Sequence, residues 1–397
     1  MARGTATTYM HTGTGEMCYE MNKALTVPET FPIYLSSAYI FDSIEPMDKI
    51  CDEGAPGYAY FRLGNPNADA ASRILAAGDG TETGLVFSSG MAAITTSLLA
   101  VLRPGDHVLA SPVLYGETFY FLKHELSKWG VETTFIDFDT QKPEDYIKPN
   151  TKVIYGETIA NPLMSVPDLG HLAEVAHANG ALLFIDNTFA TSIVAKPAKF
   201  GADLVLYSAT KYLGGHDDIV GGAALGSKKL IDTIRFYLGL YGGNLGATES
   251  WLLARSLRTL PLRVQKMSQN GLALAKFFEQ HPKVEKVYYP GLDSSPSKEL
   301  ADKQFEGNGY GGMLSVNFKG GMELIDKLIA KLKLVHFVPT LAGTCTTLTY
   351  PPKASHRDLS ADELAAIGIT YGQIRLSSGL EDTDDLLNDF DQALAKL

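Results

Sequence analysis

Between residues 67 and 225 the chain alternates two patterns of apolar and polar positions. Helical patterns run over Ala68–Ala77, Ala92–Val101 and Leu169–Ala178. Short apolar runs predict strands at Gly84–Phe87, His107–Ala110, Glu132–Ile136, Lys152–Tyr155, Ala181–Ile185 and Leu204–Tyr207. Strands separated by helices imply an α/β fold whose mainly parallel, doubly wound sheet is covered on both faces. Ligands of such sheets sit at the carboxyl ends of the strands. Those ends carry Ser89-Gly90-Met91, Tyr115-Gly116, Glu157 with Asn161, Asp186-Asn187-Thr188, and Ser208 to Lys211. Five polar clusters at one sheet edge make a site.

From about residue 250 the pattern changes. One long helix is predicted over Thr248–Phe278. Strands at Val284–Tyr289, Gly312–Phe318, Leu334–Val338 and Gln373–Leu376 then mix with helices Met322–Lys331 and Asp382–Leu397. This predicts a smaller α+β domain over residues 256–397, after a first domain over 61–255. Residues 1–60 are rich in Thr, Gly, Pro and Tyr and show little regular pattern. They still carry Ile33, Tyr34, Leu35, Tyr39, Ile40 and Phe41, so they are expected to form an arm that buries these groups against a neighbouring subunit.

Composition narrows the classes of function. A length of 397 residues suits two domains, and a net charge of -11 argues against nucleic acid or an anionic membrane as main partner. Cys18, Cys51 and Cys345 have no metal-ligand spacing, so no metal site is expected, and their sparse, odd number suggests a reducing compartment. The start MARGTATTYMHTGTGEM lacks the apolar core of a signal peptide, and no apolar run is long enough to span a bilayer. The expected location is the cytoplasm.

The chemistry centres on Asp203-Leu204-Val205-Leu206-Tyr207-Ser208-Ala209-Thr210-Lys211-Tyr212. A lysine at the end of a buried strand is partly desolvated, which lowers its pKa and frees the amine as a nucleophile. The hydroxyls of Ser208 and Thr210 could hold a phosphate beside it. These needs coincide in pyridoxal phosphate enzymes, where a lysine condenses with the cofactor and a carboxylate pairs with its ring nitrogen. Asp186, after the apolar run 181–185, could be that carboxylate or an ordinary loop or capping aspartate. Ser89-Gly90-Met91 opens a helix after a strand and could seat an anion or be a plain strand-to-helix turn. Arg375, between Ile374 and Leu376, is either a clamp for a carboxylate or an exposed edge-strand arginine.

With these residues in view, the chain resembles the Cys/Met metabolism (transsulfuration) enzymes, a branch of the fold-type I pyridoxal phosphate superfamily. The likeness runs from about residue 30 to the C-terminus. It rests on YAYFRLGNP, FSSGMAAI, LYGETF, ETIANP, IDNTF, GADLVLYSATKYLGGH and IRLSSGLED, in family order and spacing.

The resemblance implies that Lys211 binds the cofactor covalently and moves protons, that Asp186 keeps the ring nitrogen protonated, and that Tyr115 stacks on the ring and helps protonate the leaving group. Asn161 would lie near the ring hydroxyl. Ser89, the amides of Gly90 and Met91, Ser208 and Thr210 would surround the phosphate. Tyr60 and Arg62 would complete that shell from an adjacent subunit, making the active unit at least a dimer in a family usually tetrameric. Arg375, Asn161 and Thr340 would meet the amino-acid substrate. The implied reaction is γ-elimination by a carbon–sulfur lyase of the methionine γ-lyase type. γ-Replacement of the O-acylhomoserine sulfhydrylase type is the alternative, and a cofactor-binding regulator without turnover is a third reading.

The chain departs from the family pattern at several wall positions. Ala59, Tyr120 and Pro339 stand where enzymes acting on cystathionine carry charged groups, which argues against cystathionine as substrate. Glu117 replaces the cysteine usual in methionine γ-lyases, whose Lys-Asp pair falls near Leu238-Gly239 here. The usual Ser-Leu-Gly-Gly reads Thr340-Leu341-Ala342-Gly343, and the glutamate after it is Cys345. Glu117 is either a solvated loop residue or a group that meets a polar or cationic distal end of the substrate or acts as an added acid or base.

Overall fold

A computed structural model describes residues 3–12, 28–354, 362, 364 and 368–397. A seven-stranded sheet has the order β1-β7-β6-β5-β4-β2-β3. In chain order its strands are β1 (Thr83–Phe87), β2 (His107–Ala110), β3 (Glu132–Phe135), β4 (Thr151–Glu157), β5 (Leu182–Asp186), β6 (Leu204–Ser208) and β7 (Gly222–Gly226). β2 to β6 pair in parallel, and β7 lies antiparallel to both β1 and β6.

Alternate side chains on each strand reach opposite faces. Val86, Leu109, Ile154, Leu183, Val205 and Leu225 enter one core, with helices Pro66–Asp79 and Leu169–Ala178. Phe87, Val108, Val153, Phe184, Leu206 and Ala224 enter the other, under helices Gly90–Val101 and Lys228–Tyr241. Burial on both faces is why the strands read as continuous apolar runs.

The second sheet has five strands in the order β10-β11-β12-β9-β8. They are β8 (Val284–Tyr288), β9 (Met313–Phe318), β10 (His336–Phe337), β11 (Thr347–Thr349) and β12 (Gln373–Ser377). Its core gathers Leu274, Phe278, Leu314, Val316, Ile374, Leu376, Leu386 and Phe390. The architecture is α/β, fold-type I: a mainly parallel central sheet with a smaller second sheet.

The single helix expected over Thr248–Phe278 is two, Ala247–Leu257 and Leu260–Gln280. Pro261 is the cause, because it lacks the N–H that would pair with the Leu257 carbonyl and its ring crowds that carbonyl. The strand expected over Leu334–Val338 shortens to His336–Phe337. β7 and β11 were not expected.

Part of the N-terminal segment packs on its own chain. Helix Thr5–His11 buries Tyr9 completely, with its hydroxyl 2.5 Å from Ser192 Oγ, and Arg258 Nη1 donates to the Tyr9 and Met10 carbonyls at 2.7 and 2.6 Å. Trp251 Nε1 donates to the Phe31 carbonyl at 2.8 Å. Ile33, Leu35 and Ile40 remain exposed, Ile40 almost fully. No described helix is long and apolar enough to cross a membrane.

Candidate active site

The carboxyl ends of β1, β2, β4, β5 and β6 open onto one cavity of about 760 Å³. Its lining includes Ser89, Gly90, Met91, Tyr115, Glu117, Asn161, Asp186, Ser208, Thr210, Lys211 and Arg375, which the structure therefore brings together. Thr340 joins them: Lys211 Nζ lies 3.5 Å from Thr340 Oγ1. Tyr60 and Arg62 do not line this cavity. Arg62 donates to the Gly239 carbonyl and sits over the half-exposed Tyr60 ring, its Cζ 5.7 Å from the centroid. Ala59 and Tyr120 are also outside the lining, whereas Pro339 is part of it.

β6 delivers Lys211. After Ser208 the chain leaves the sheet, with Thr210 Oγ1 accepting from Gly221 N at 3.0 Å and Lys211 N donating to the Ser208 carbonyl at 3.2 Å. Burial lowers the Lys211 pKa, and the Arg375 charge lowers it further. Both effects favour the neutral, nucleophilic amine.

β5 delivers Asp186. Thr188 donates to Asp186 Oδ1 twice, from its N–H at 2.9 Å and its hydroxyl at 2.5 Å. The same hydroxyl accepts from Ser208 N at 2.8 Å, which ties Asp186 to the strand leading to Lys211. Burial raises the Asp186 pKa to about 6, so the carboxylate is poised for a cationic partner. Directly beside it in register on β4 lies Glu157, whose pKa is pushed well up by burial and by the Asp186 charge.

Glu157 also organises the opposite wall. Its Oε1 accepts from Tyr115 N at 2.7 Å and its Oε2 from Asn161 N at 3.1 Å. Asn161 Oδ1 in turn accepts from Arg375 Nη1 at 2.8 Å, and the buried Arg375 lies over the Phe189 ring with Cζ 6.0 Å from the centroid. Burial lowers the Arg375 pKa to about 10, so it stays cationic at neutral pH. Tyr115 keeps its proton: burial raises its pKa, and the neighbouring Glu117 carboxylate raises it further.

The turn that starts helix Gly90–Val101 has the features of an anion seat. Ser89 caps it by accepting from Ala92 N at 3.0 Å. The Gly90 and Met91 amides belong to the first turn, where no helical carbonyl precedes them, so they are free to meet an anion. The seat is tightly built. A Cβ on Gly90 would fall 2.8 Å from Ser208 Cβ, and one on Gly222 would fall 2.2 Å from the Ser89 carbonyl oxygen.

A turn with free amides, a desolvated lysine and a buried carboxylate that a cation could meet fit the three chemical handles of pyridoxal phosphate. Glu157 and Thr188 take part although neither was assigned a role from sequence. A carboxylate ending an apolar strand was the signal for Glu157, and the hydroxyl two residues past Asp186 was the signal for Thr188. Among the described residues no His, Cys, Asp and Glu group could hold a metal ion.

Fold and site together define a fold-type I pyridoxal phosphate-dependent enzyme. The profile of the Cys/Met metabolism PLP-dependent enzyme family matches residues 15–395. The chain is 40% identical over 399 residues to the L-methionine gamma-lyase of Fusobacterium nucleatum subsp. nucleatum, covering 99% of this chain and 98% of that one. It is 41% identical over 343 residues to the cystathionine gamma-lyase of Bacillus subtilis, covering 86% and 89%. The crystal structure of cystathionine gamma-lyase from Lactobacillus plantarum, complexed with L-serine, superposes with a TM-score of 0.90 at 33% identity, covering 99% of each chain. The chain belongs to the Cys/Met metabolism PLP-dependent enzyme family.

Proposed function

We propose that this enzyme catalyses γ-elimination on a γ-substituted amino acid with a four-carbon chain, giving a 2-oxo acid, ammonia and the released thiol or other leaving group, with uptake of one water. The observation that carries this reading is the convergence of Lys211, Tyr115, Asp186 and Arg375 on one cavity whose lining also includes the apolar Val220, Phe337, Pro339 and Leu341. When bound, pyridoxal phosphate withdraws electrons from the α-carbon, which acidifies the α- and then the β-protons and allows a γ-substituent to leave.

The chain's own groups divide the remaining work. Lys211 holds the cofactor and, once released, carries protons between neighbouring carbons. Asp186, oriented by Thr188, keeps the ring nitrogen protonated. Ser89, Ser208, Thr210 and the Gly90 and Met91 amides hold the phosphate. Arg375 pairs with the substrate α-carboxylate, held at its angle by Asn161, with Thr340 beside it. Tyr115, whose phenol retains its proton, donates to the leaving group.

Tyr60 and Arg62 reach the phosphate of a second copy, so the working unit is a homodimer or larger assembly. The exposed Ile33, Leu35 and Ile40 fit an arm covered by that copy. The working division of the chain is an arm over 1–60, a cofactor domain over 61–255 and a C-terminal domain over 256–397.

The test is product analysis of the purified holoenzyme with γ-substituted amino acids, with and without sulfide. Keto acid and ammonia formed without sulfide support elimination. A sulfur amino acid formed only with sulfide supports γ-replacement, which would use the same residues.

A further inference from the structure

Glu117 stands apart from the other acids of the cavity. Asp186 is held by Thr188, and Glu157 accepts two backbone amides. Glu117 lies in the first turn of the short helix Gly116–Tyr120, two residues after Tyr115, is solvent-exposed, and forms no salt bridge among the described residues. Its carboxylate neighbours the Tyr115 hydroxyl, the group that serves the leaving group in the reading above. The same lining also holds Val220, Phe337, Pro339 and Leu341, with Lys353 the remaining charged group.

The inner end of the cavity is already committed, Arg375 to a carboxylate and Lys211 to the cofactor. What extends from the γ-carbon past Tyr115 therefore meets the Glu117 carboxylate beside that tyrosine, in a lining that also holds hydrocarbon and Lys353. A thioether methyl pressed against Glu117 would strip water from the charge and return nothing. A protonated amine or amidinium there would gain a charge-assisted hydrogen bond while its methylenes lay on Phe337 and Leu341.

We propose that Glu117 is a specificity-determining residue that selects amino acids whose γ-substituent ends in a cation over those ending in an alkyl group. This rests on the γ-elimination reading, and the experiment separates the two. Two thioether substrates of nearly equal size are compared with the wild-type holoenzyme: S-(2-aminoethyl)-L-homocysteine, cationic at its end, and S-propyl-L-homocysteine, neutral there. Keto acid release gives kcat/KM for each. Because their thiols differ in acidity, the readout is how the Glu117 variants change the ratio.

The wild type is expected to favour the cationic substrate by about tenfold or more, the scale of one charge-assisted contact. Glu117→Gln and Glu117→Ala are expected to lower the ratio by about tenfold, mainly through KM of the cationic substrate. A folding or cofactor-loading defect lowers both substrates alike and leaves the ratio untouched. Equal kcat/KM values in the wild type, or a preference unchanged in both variants, overturn the proposal and leave γ-elimination standing. Keto acid from neither substrate, while other γ-substituted amino acids are cleaved, overturns this proposal alone; keto acid from none of them overturns the γ-elimination reading and this proposal with it.

Discussion

Arg375 Nη1 donates a 2.8 Å hydrogen bond to Asn161 Oδ1, and both side chains are buried. Arg375 lies on β12 of the small sheet, while Asn161 follows β4 of the large one. The guanidinium that would clamp the substrate is thus aimed from one sheet by an amide carried on the other. A fork held this way can present two parallel N–H donors to a carboxylate, which a lysine ammonium cannot do.

Arg375→Lys is accordingly expected to lower kcat/KM by about a hundredfold, mostly through KM, because the geometry is lost while one positive charge is kept. Asn161→Ala should act in the same direction more weakly, by about tenfold. Steady-state kinetics on one substrate measures both. A larger loss in the Asn161 variant than in the Arg375 variant would mean that Asn161 does more than orient the arginine.

Lys211→Ala removes the amine at the edge of the sheet. Turnover is expected to fall by at least about a thousandfold, as for the loss of a nucleophile that is also the proton carrier. The independent readout is chemical: borohydride treatment with pyridoxal phosphate should fix the cofactor to wild-type protein at Lys211 and leave no such label in the variant. A labelled peptide around another lysine would move the site elsewhere.

Gly90→Ala tests the phosphate seat. The added methyl would meet Ser208 at 2.8 Å from Cβ and 3.0 Å from Cα, so the turn must shift away from the strand that leads to Lys211. Cofactor affinity is expected to fall by about tenfold or more, since the amides at this turn lose their aim at the anion. Titration of apoprotein with pyridoxal phosphate reads it directly. Unchanged affinity would show that the first turn does not carry the phosphate.

That these residues line one cavity was legible in the sequence because its supports are local. The apolar runs of β4, β5 and β6 each end in a polar group, and a parallel sheet brings those ends together whatever the loops do. β7 was not legible because four of its five residues are small, and at Gly222 the reason is one that only the folded chain supplies: a side chain there would strike the Ser89 backbone. The break before Leu260 could have been read from Pro261, but the apolar pattern on either side outweighed it. The roles of Glu157 and Thr188 depend on which backbone amides face them, and that is decided by packing between strands. Tyr60 and Arg62 lie outside their own chain's cavity.

A last expectation concerns a buried acid that the chemistry does not use. Asp79, at the end of helix Pro66–Asp79, accepts from the Tyr207 hydroxyl at 2.6 Å through Oδ1, while its Oδ2 has no hydrogen-bond partner. Tyr207 in turn accepts from Asn187 Nδ2 at 2.8 Å, directly behind Asp186. Burial raises the Asp79 pKa to about 7 from the usual 3.8, against the smaller opposing effects of the Tyr207 bond and the Lys196 charge. Below about pH 4 this acid is protonated in both folded and unfolded chains and contributes no pH dependence. Between about pH 4 and 7 the folded chain keeps a proton that the unfolded chain releases, so stability falls as pH rises, and it levels off above about 7. The loss is bounded at about 4 kcal/mol. Asp79→Asn keeps an oxygen for Tyr207 and cannot ionise, so it escapes the loss. Relative to wild type it should gain stability between about pH 5 and pH 8, and urea unfolding at both pH values, compared as a difference of differences, cancels every other titrating group. A variant whose stability relative to wild type is the same at both pH values would mean that Asp79 titrates at its ordinary pKa, and that the buried chain from Asp79 through Tyr207 to Asn187 holds a charge without cost.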